Sequence, residues 1–438
     1  MMTIIVREYA RLTTANVAST LDMAKVTETA FEWLCSLNAQ FRKSGALLLQ
    51  VQDQQWLRLD NYVGVIETPC GTRLEILPKH MHSADDAARS RKLLCKMLRV
   101  VHKLPVRAVG AADIELFDQP LTEWVMRQFL LALEHLLVRG IRSDYSRVEE
   151  EQRYLRGQSD AVRQMRQPLG KQHFFQIRHD VFSADRAENR LIKKALEIVA
   201  KSTEDATNWR LARELSGALN EIPASCAPLM DFGKWASDRS MAHYRDIKRW
   251  CELIFGQQMP LTQKGAWHGI SMLFPMEKLF EKYVASCLGA KLPADRRIRT
   301  GAREKDLCTH LGRGFFELKP DILIESTLYP AIVVDAKWKR LSDAQDSKYG
   351  ISQSDFYQLF AYGHKYLNGE GALVLIYPCR EGFSAALAPF HFSDKLTMWI
   401  IPFDLDEDRL LDAHGALHFL IDSNNPSVQS DMINRRLC

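Results

Sequence analysis

Two acidic residues and a lysine stand at the ends of two short apolar segments in the last third of the chain. Successive side chains on a strand point to opposite faces, so Asp335 and Lys337 lie on the same side of their strand. Neighbouring strands are only about 4.8 Å apart, so Asp321 reaches the same place if segments 321–324 and 331–335 pair. Two carboxylates and an ammonium at one sheet edge predict a site where a divalent cation activates water to cleave a phosphodiester.

The apolar context of these charges favours a ligand site. Residues 331–334 read Ala-Ile-Val-Val, which is typical of a strand buried on both faces. Burying an unpaired charge is costly, so a strand that ends in charges normally ends at solvent, at a partner or at a metal. An ordinary ion pair between Asp335 and Lys337 remains an alternative, which the upstream Asp321 makes less favourable.

A helix is predicted after the second acid, with Ser352 or Ser354 as its N-cap. On this helix Gln358 and Tyr362 are four positions apart and share one face. An apolar strand follows at residues 372–377. The order of acid strand, acid-x-Lys strand, Gln-x-x-x-Tyr helix and apolar strand resembles nucleases of the PD-(D/E)xK superfamily, especially the branch related to the RecB nuclease.

Composition excludes several other kinds of site. The nine cysteines and thirteen histidines show no Cys-x-x-Cys and no paired ligand spacing, which argues against a zinc site or a disulfide framework. The chain contains no Walker A loop and no Gly-x-Gly-x-x-Gly, so we do not expect it to hydrolyse nucleotides itself. No apolar run approaches the length of a membrane span, and no signal-type segment begins the chain. We therefore expect a soluble, cytoplasmic protein.

The formal net charge of +4 neither requires nor excludes a nucleic-acid partner, so DNA binding would depend on local patches. One basic cluster precedes the first acid strand, and it comprises Arg296, Arg297, Arg299, Arg303 and Lys305. A second accompanies the motif itself, with Lys337, Lys339 and Arg340. The alternative for the first cluster is a solvated loop face.

With 438 residues, 46% of them hydrophobic, the chain is long enough for two or three domains. We predict a multidomain α+β protein, in which a β-rich N-terminal module spans residues 1–110, a mainly helical region spans 111–262, and a C-terminal α/β nuclease domain with a mixed central sheet spans 263–438. Strands are predicted at 47–51, 56–59, 62–66 and 73–76, the last two as a hairpin. Helices are predicted at 24–38, 83–101, 116–138, 188–200 and 276–288.

The chain as a whole resembles the McrC family, the nuclease subunits of McrBC-type modification-dependent restriction systems. The strings that carry this resemblance recur in the order that the family has them. They are Tyr62-Val63-Gly64-Val65-Ile66, Leu74-Glu75-Ile76-Leu77-Pro78-Lys79, Arg139-Gly140 with Tyr145, Tyr154-Leu155-Arg156-Gly157, Glu188-Asn189-Arg190-Leu191, Leu279-Phe280-Glu281, Pro320-Asp321, Asp335-Ala336-Lys337 and Gln358-Leu359-x-x-Tyr362.

The resemblance implies a role for each motif residue. Asp321 and Asp335 would hold Mg²⁺, with the carbonyl of Ala336 completing the metal shell, and Lys337 would orient the attacking water or stabilise the phosphorane. Gln358 and Tyr362 would support the site or touch the scissile strand, although Tyr362 is equally explained as a packing residue. Glu281 would be a further metal-binding or supporting acid. Its alternative is an exposed helix acid paired with Lys278 or Lys282.

The resemblance also implies a partner. McrC-like proteins act with McrB, a GTP-hydrolysing AAA+ protein that forms a hexameric ring, recognises modified double-stranded DNA and translocates it. The N-terminal part docks into the pore and stimulates GTP hydrolysis, which assigns docking to the module before residue 110. Two alternatives remain, a stand-alone RecB-like repair nuclease and an activator subunit whose nuclease fold is inert.

Overall fold

A computed structural model describes residues 2–43, 45–79, 87–105, 119–236, 238–255, 271–326, 329–339, 341, 345–380 and 382–411. Chain contacts divide it into two compact units, one formed by residues 1–104 together with 273–438 and the other by residues 105–272. The predicted α+β class is confirmed, since both units contain helices together with β-sheet. The predicted domain boundaries at 110 and 262 lie outside the described residues, so the three-part division stays a prediction.

The N-terminal segment is rich in strands. Its elements are β1 (Met2–Arg7), β2 (Arg11–Thr13), β3 (Met23–Lys25), α1 (Glu28–Lys43), β4 (Leu49–Val51), β5 (Trp56–Leu59), β6 (Tyr62–Glu67), β7 (Thr72–Leu77) and α2 (Ala87–Val101). The four predicted strands correspond to β4–β7, and Gly71, with φ 81°, lies in the turn of the predicted hairpin. The helix predicted at 24–38 was wrong in its start, because β3 pairs with β2 before the helix begins. Residues 83–86 of the helix predicted at 83–101 lie outside the described residues.

The second unit combines helices with one small sheet. Its elements are α3 (Leu121–Arg139), β8 (Asp144–Gln152), β9 (Gln158–Ser159), α4 (Ala161–Met165), β10 (Phe175–Ser183), α5 (Ala187–Ser202), α6 (Ala206–Ala218), α7 (Pro228–Lys234) and α8 (Arg245–Ile254). The helix predicted at 188–200 is confirmed as α5. The helix predicted at 116–138 is α3, with residues 116–118 outside the described residues. The sheet β8-β10-β9 was not predicted, because its first strand, β8, buries no side chain and lacks apolar alternation.

The C-terminal segment contains the largest sheet. Its elements are β11 (Met272–Pro275), α9 (Met276–Lys291), β12 (Arg296–Thr300), β13 (Lys305–His310), β14 (Arg313–Leu318), β15 (Ile322–Ser326), β16 (Ile332–Ala336), α10 (Gln353–Tyr366), β17 (Gly371–Pro378), β18 (Phe390–His391), β19 (Leu396–Asp404) and β20 (Arg409–Leu410). The sheet order is β12-β15-β16-β17-β19-β18, with β20 paired to β19. It is mixed, since β15 runs antiparallel to β16 while β17 and β19 run parallel to it.

Helix α10 packs on this sheet and fixes the position of its motif residues. Leu359 and Tyr362 belong to one buried cluster with Val333 of β16 and Leu375 of β17. Ser352 is the N-cap, and its hydroxyl accepts a hydrogen bond from the backbone of Ser354. The face of α10 that carries the motif is therefore anchored against the strands that carry the acids.

The N-terminal segment packs directly against the C-terminal segment. Strand β11 extends the sheet β1-β7-β6, which joins the two segments at the backbone level. On α2, Lys96 donates to the carbonyl of Leu405 at 2.8 Å and pairs with Asp408 at 2.7 Å. The first and last parts of the chain therefore form a common core. In the described part of the chain no helix combines the length and the apolar character needed to traverse a bilayer.

Candidate metal centre

The two motif acids lie side by side because β15 and β16 pair as the sequence indicates. Ile322 is the cross-strand partner of Val334, which brings Asp321 beside the end of β16. Asp321 Oδ2 accepts a hydrogen bond from the backbone N–H of Ala336 at 2.9 Å. The pairing of segments 321–324 and 331–335, predicted from the sequence, is confirmed.

Asp335 is a buried carboxylate whose oxygens are not saturated by the protein. It is 1% exposed, and Lys337 Nζ lies 2.8 Å from its Oδ2 as an ion pair. That contact lacks hydrogen-bond geometry, and neither Asp335 oxygen accepts a hydrogen bond from any described residue. A buried carboxylate without hydrogen bonds is costly unless a ligand occupies its lone pairs. The donor set therefore fits an oxygen-binding cation.

The electrostatics of the site show an excess of negative charge. Burial raises the pKa of Asp321 above its usual value, and the charges of Asp335 and Glu281 raise it further. Burial lowers the pKa of Lys337, but the charges of Asp335 and Asp321 outweigh it and keep the ammonium protonated. Close like charges oppose one another's ionisation, and a bound cation would remove that opposition.

Glu281 belongs to the same electrostatic environment. Burial first, and then the charge of Asp335, raises its pKa to about 7. It lies on α9, and it makes no ion pair with Lys278, Lys282 or any other described residue. The alternative of a local ion pair on the helix surface therefore does not apply to this structure. Glu281 instead faces the acids at the sheet edge.

Helix α10 contributes a chain of hydrogen bonds that holds the lysine. Lys337 Nζ donates to Gln358 Oε1 at 3.4 Å, and Gln358 Nε2 donates to the Tyr362 hydroxyl at 2.7 Å. The Tyr362 hydroxyl in turn donates to the carbonyl of Lys319 at 2.9 Å. Tyr362 is 2% exposed, and burial raises its pKa to about 12. Packing and positioning are thus combined in this one side chain.

Sequence reasoning missed Asp355, a further acid near the site. Asp355, near the start of α10, accepts hydrogen bonds from Lys339 Nζ at 3.0 and 3.3 Å and from the Tyr377 hydroxyl at 3.3 Å. Its position three residues before Gln358 on a helix was the available signal. A second missed contact is the hydrogen bond from Trp338 Nε1 to Glu8 Oε1 at 2.7 Å, which no local pattern reveals.

The first basic cluster is largely engaged within the protein. Arg296, Arg297 and Arg299 lie on strand β12, whereas Arg303 lies in the loop between β12 and β13. Arg299 pairs with Glu325 at 2.8 Å and also with Glu304. The Arg296 guanidinium lies 4.9 Å from the ring centroid of Tyr329. The ion pairs of Arg299 therefore neutralise part of the positive charge on β12.

Protein side chains alone do not enclose a metal ion here. Across the residues that the structure describes, no three His, Cys, Asp or Glu side chains converge into a complete ligand set. Magnesium typically retains several waters and binds one or two carboxylates together with substrate phosphate oxygens. Asp321 and Asp335 satisfy that smaller requirement.

Comparisons with known proteins agree with this architecture. A model of the McrBC 5-methylcytosine restriction system component family matches residues 57–378. The chain is also similar to a refined half-complex from the tetradecameric assembly of Thermococcus gammatolerans McrB AAA+ hexamers with bound McrC. The TM-score is 0.68 at 20% identity, covering 92% of this chain and 95% of that chain.

A second similar structure is a cryo-EM structure of the Thermococcus gammatolerans McrBC complex. Its TM-score is 0.50 at 19% identity, covering 66% of this chain and 87% of that chain. At these identities the likeness concerns the fold alone. No curated protein matches the chain. Because the family model spans well over half of its length, the chain belongs to the McrBC 5-methylcytosine restriction system component family.

Proposed function

We propose that the chain is a Mg²⁺-dependent DNA endonuclease subunit that cuts phosphodiester bonds when assembled with a GTP-hydrolysing AAA+ partner of the McrB type. The observation that supports this most strongly is the convergence of Asp321 and Asp335 beside the Lys337 ammonium. Asp335 keeps two buried oxygens that accept no hydrogen bond from described residues. This is the donor set of a PD-(D/E)xK nuclease, and the mixed sheet with α10 packed on it is consistent with that fold.

Asp321 and Asp335 would hold the magnesium ion, with the Ala336 carbonyl as a further oxygen donor and Glu281 as a supporting acid. Bound magnesium polarises a phosphate oxygen and lowers the pKa of a bound water. Lys337 remains charged and offers its ammonium to the attacking water or to the phosphorane. Gln358 holds that ammonium at 3.4 Å.

Tyr362 orients Gln358, because its hydroxyl is fixed between the amide of Gln358 and a backbone carbonyl. A glutamine amide without that partner would be free to rotate about its last torsion angle. Tyr362 therefore acts as a positioning residue, one step removed from the reacting atoms.

The decisive experiment uses the complex of the chain with its AAA+ partner. Asp335→Ala and Lys337→Ala should each abolish cleavage of modified double-stranded DNA, while assembly and stimulation of GTP hydrolysis are retained. Cleavage by both variants at the wild-type rate would refute the site. Cleavage by the purified wild-type chain with Mg²⁺ but without partner or nucleotide would favour a stand-alone RecB-like nuclease.

An inert activator would bind no metal at this place. Calorimetric titration with Mg²⁺ should give binding to the wild-type chain and none to Asp321→Asn. Equal heats for both proteins would favour the activator, because they would show that the carboxylates do not hold the cation. GTP hydrolysis by the partner, measured with each variant, reports separately on activation.

Partner docking has two candidate surfaces. The family resemblance assigns it to residues 1–110. The sheet β8-β10-β9 is the second candidate, because Tyr145 and Phe182 are 69% and 63% exposed with ring centroids 5.0 Å apart. Exposed aromatic pairs of this kind mark protein interaction sites. Tyr145→Ser with Phe182→Ser should abolish co-purification with the AAA+ partner if this sheet docks, and should leave it unchanged if residues 1–110 dock.

A further inference from the structure

A basic cavity lies beside the candidate metal centre and is formed by both parts of the first unit. Its volume is about 370 Å³, which is within the usual size of ligand sites. Four cationic side chains line it, two from the N-terminal segment and two from the ends of β16 and β17, namely Arg58, Lys79, Lys339 and Arg380.

The cavity and the metal centre share one edge of the sheet. Strands β16 and β17 are parallel, and their carboxyl ends carry Lys339 and Arg380 into the cavity. In open α/β sheets this edge is where ligands bind. Lys337 and Lys339 are two residues apart, about 7 Å along an extended chain. DNA carries a phosphate about every 3.4 Å of axis rise on each strand, so a phosphate neighbouring the scissile one would fall within reach of the cavity.

Among the described residues that line the cavity, Glu8 is the only acid, and one of its two oxygens is hydrogen-bonded within the protein. Glu8 is fully buried, and its Oε1 accepts hydrogen bonds from the backbone N–H of Lys79 and from Trp338 Nε1, both at 2.7 Å. This carboxylate holds the cavity wall to the active-site strand. The four cationic side chains that line the cavity outnumber this one described acid.

Arg58 has the contacts expected of a ligand-binding arginine. It is exposed and makes no ion pair with a described residue, whereas Lys79 pairs with Asp22 and Lys339 pairs with Asp355. Its guanidinium lies 5.9 Å from the ring centroid of Tyr9, which orients it. Tyr9 itself has φ 64°, a strained backbone conformation for a tyrosine, and such strain concentrates at functional sites.

We propose that this cavity binds a backbone phosphate of the DNA strand, next to the phosphate that is cut, with Arg58 as the principal donor. The inference rests on the proposed nuclease function. Guanidinium groups suit phosphate because their planar fork donates two parallel hydrogen bonds. The N-terminal segment would then contribute to DNA binding.

The chain offers a matched control for Arg58. Arg11 is its direct cross-strand partner, is also exposed, and lies 6.0 Å from the ring centroid of Trp56, but it does not line the cavity. Binding of a fluorescent duplex to the full-length chain is measured by anisotropy in Ca²⁺, over about 50–200 mM salt. Arg58→Ala should weaken binding about tenfold and reduce the slope of log K against log salt by about 0.9, the value for one phosphate contact. Arg11→Ala should preserve both, and Arg58→Lys should restore part of the affinity.

Equal losses in Arg58→Ala and Arg11→Ala, unchanged binding in Arg58→Ala, or no duplex binding by the wild-type chain would each overturn the proposal. So would Arg58-dependent binding of inorganic phosphate without any effect on duplex affinity. Cleavage assays with Mg²⁺ and the partner separate this site from the proposed function. Arg58-dependent binding without any cleavage would refute the nuclease alone, whereas cleavage with wild-type affinity in Arg58→Ala would refute the phosphate site alone.

Discussion

Two buried aspartates lie beside the same sheet edge and differ in how the protein satisfies them. Asp335, at the end of β16, is 1% exposed, and Asp355, at the start of α10, is 4% exposed. Each has a lysine nearby, with Lys337 Nζ 2.8 Å from Asp335 and Lys339 Nζ 3.0 Å from Asp355. Residue type, burial and partner are therefore closely matched.

The hydrogen bonds separate the two acids. Asp355 accepts from the Lys339 ammonium with both oxygens and from the Tyr377 hydroxyl. Asp335 accepts from no described residue with either oxygen. A buried carboxylate with its hydrogen bonds made stabilises the fold, whereas one without them is retained at a cost in stability. The difference supports the proposal that Asp335 binds a cation, whereas the hydrogen bonds of Asp355 stabilise the fold.

Substitution of Asp335 should have the largest effect on activity. Asp335→Asn removes the charge of a proposed metal ligand, so we expect DNA cleavage to fall by about a thousandfold or more, as when a key electrostatic group is lost from an active site. The same substitution costs the ion pair with Lys337 but removes a buried charge that accepts no hydrogen bond and repels the charges of Asp321 and Glu281, so the thermal midpoint should stay the same or rise. The cleavage rate and the thermal midpoint are measured on one preparation, the first by plasmid cleavage with the partner and the second by thermal unfolding. A cleavage rate within tenfold of wild type would contradict the assignment.

Magnesium should stabilise the wild-type chain and not the Asp335→Asn variant. A ligand that binds only the folded state stabilises it by about 2.7 kcal/mol at a hundred times its dissociation constant. We therefore expect saturating Mg²⁺ to raise the thermal midpoint of the wild-type chain. Asp355→Asn is the matched control and should keep this response, since its carboxylate is already occupied. If Mg²⁺ raised the thermal midpoint of neither variant, the two acids would not differ in their role in metal binding.

The elements at this edge were predictable because their signals are local. The apolar run of β16, the N-cap of α10 and the four-residue spacing of Gln358 and Tyr362 each lie within a few residues of chain. Their pairing followed from one rule, that antiparallel neighbours joined by a short connection lie side by side. The place where the two acids meet therefore followed from the sequence.

The hydrogen-bond donors to those carboxylates were not predictable, because they are distant from the acids in the sequence. The Tyr377 hydroxyl, on β17, donates to Asp355 on α10, and Trp338 Nε1 donates to Glu8, which lies 330 positions earlier in the chain. No periodicity records such contacts. The exposed sheet β8-β10-β9 was missed for a different reason. Strand β8 buries no side chain, so it lacks the apolar alternation that identifies a strand in a sequence.

Substitution of Asp355 should affect stability more than chemistry. Asp355→Asn leaves Lys339 without its counter-charge and weakens the bond to the buried Tyr377 hydroxyl. We expect a loss of about 1–3 kcal/mol in the free energy of unfolding, the usual cost of an unsatisfied buried partner. Urea unfolding measures it, with Asp335→Asn in parallel. The comparison fails if Asp355→Asn abolishes cleavage at a temperature where the variant is folded.

The smallest expected effect concerns the hydrogen bonds that hold Lys337. Tyr362→Phe removes the hydroxyl that orients Gln358, and one such bond contributes about 0.5–1.5 kcal/mol, which corresponds to a decrease in kcat of roughly tenfold or less. Tyr366→Phe is the control one turn later on α10. Its hydroxyl also donates to backbone carbonyls, those of Ala302 and Leu318, but it has no link to the lysine.

Both substitutions remove a hydroxyl that donates to a backbone carbonyl, although Tyr362 is the more deeply buried of the two, so a purely structural role predicts losses of stability and no difference in cleavage. A positioning role predicts that Tyr362→Phe alone lowers kcat, with KM for DNA unchanged because the ground-state contacts remain. Single-turnover cleavage at saturating DNA separates these outcomes. Equal kcat values for the two variants would show that Tyr362 is only a packing residue. The orientation of Lys337 would then depend on Asp335 alone.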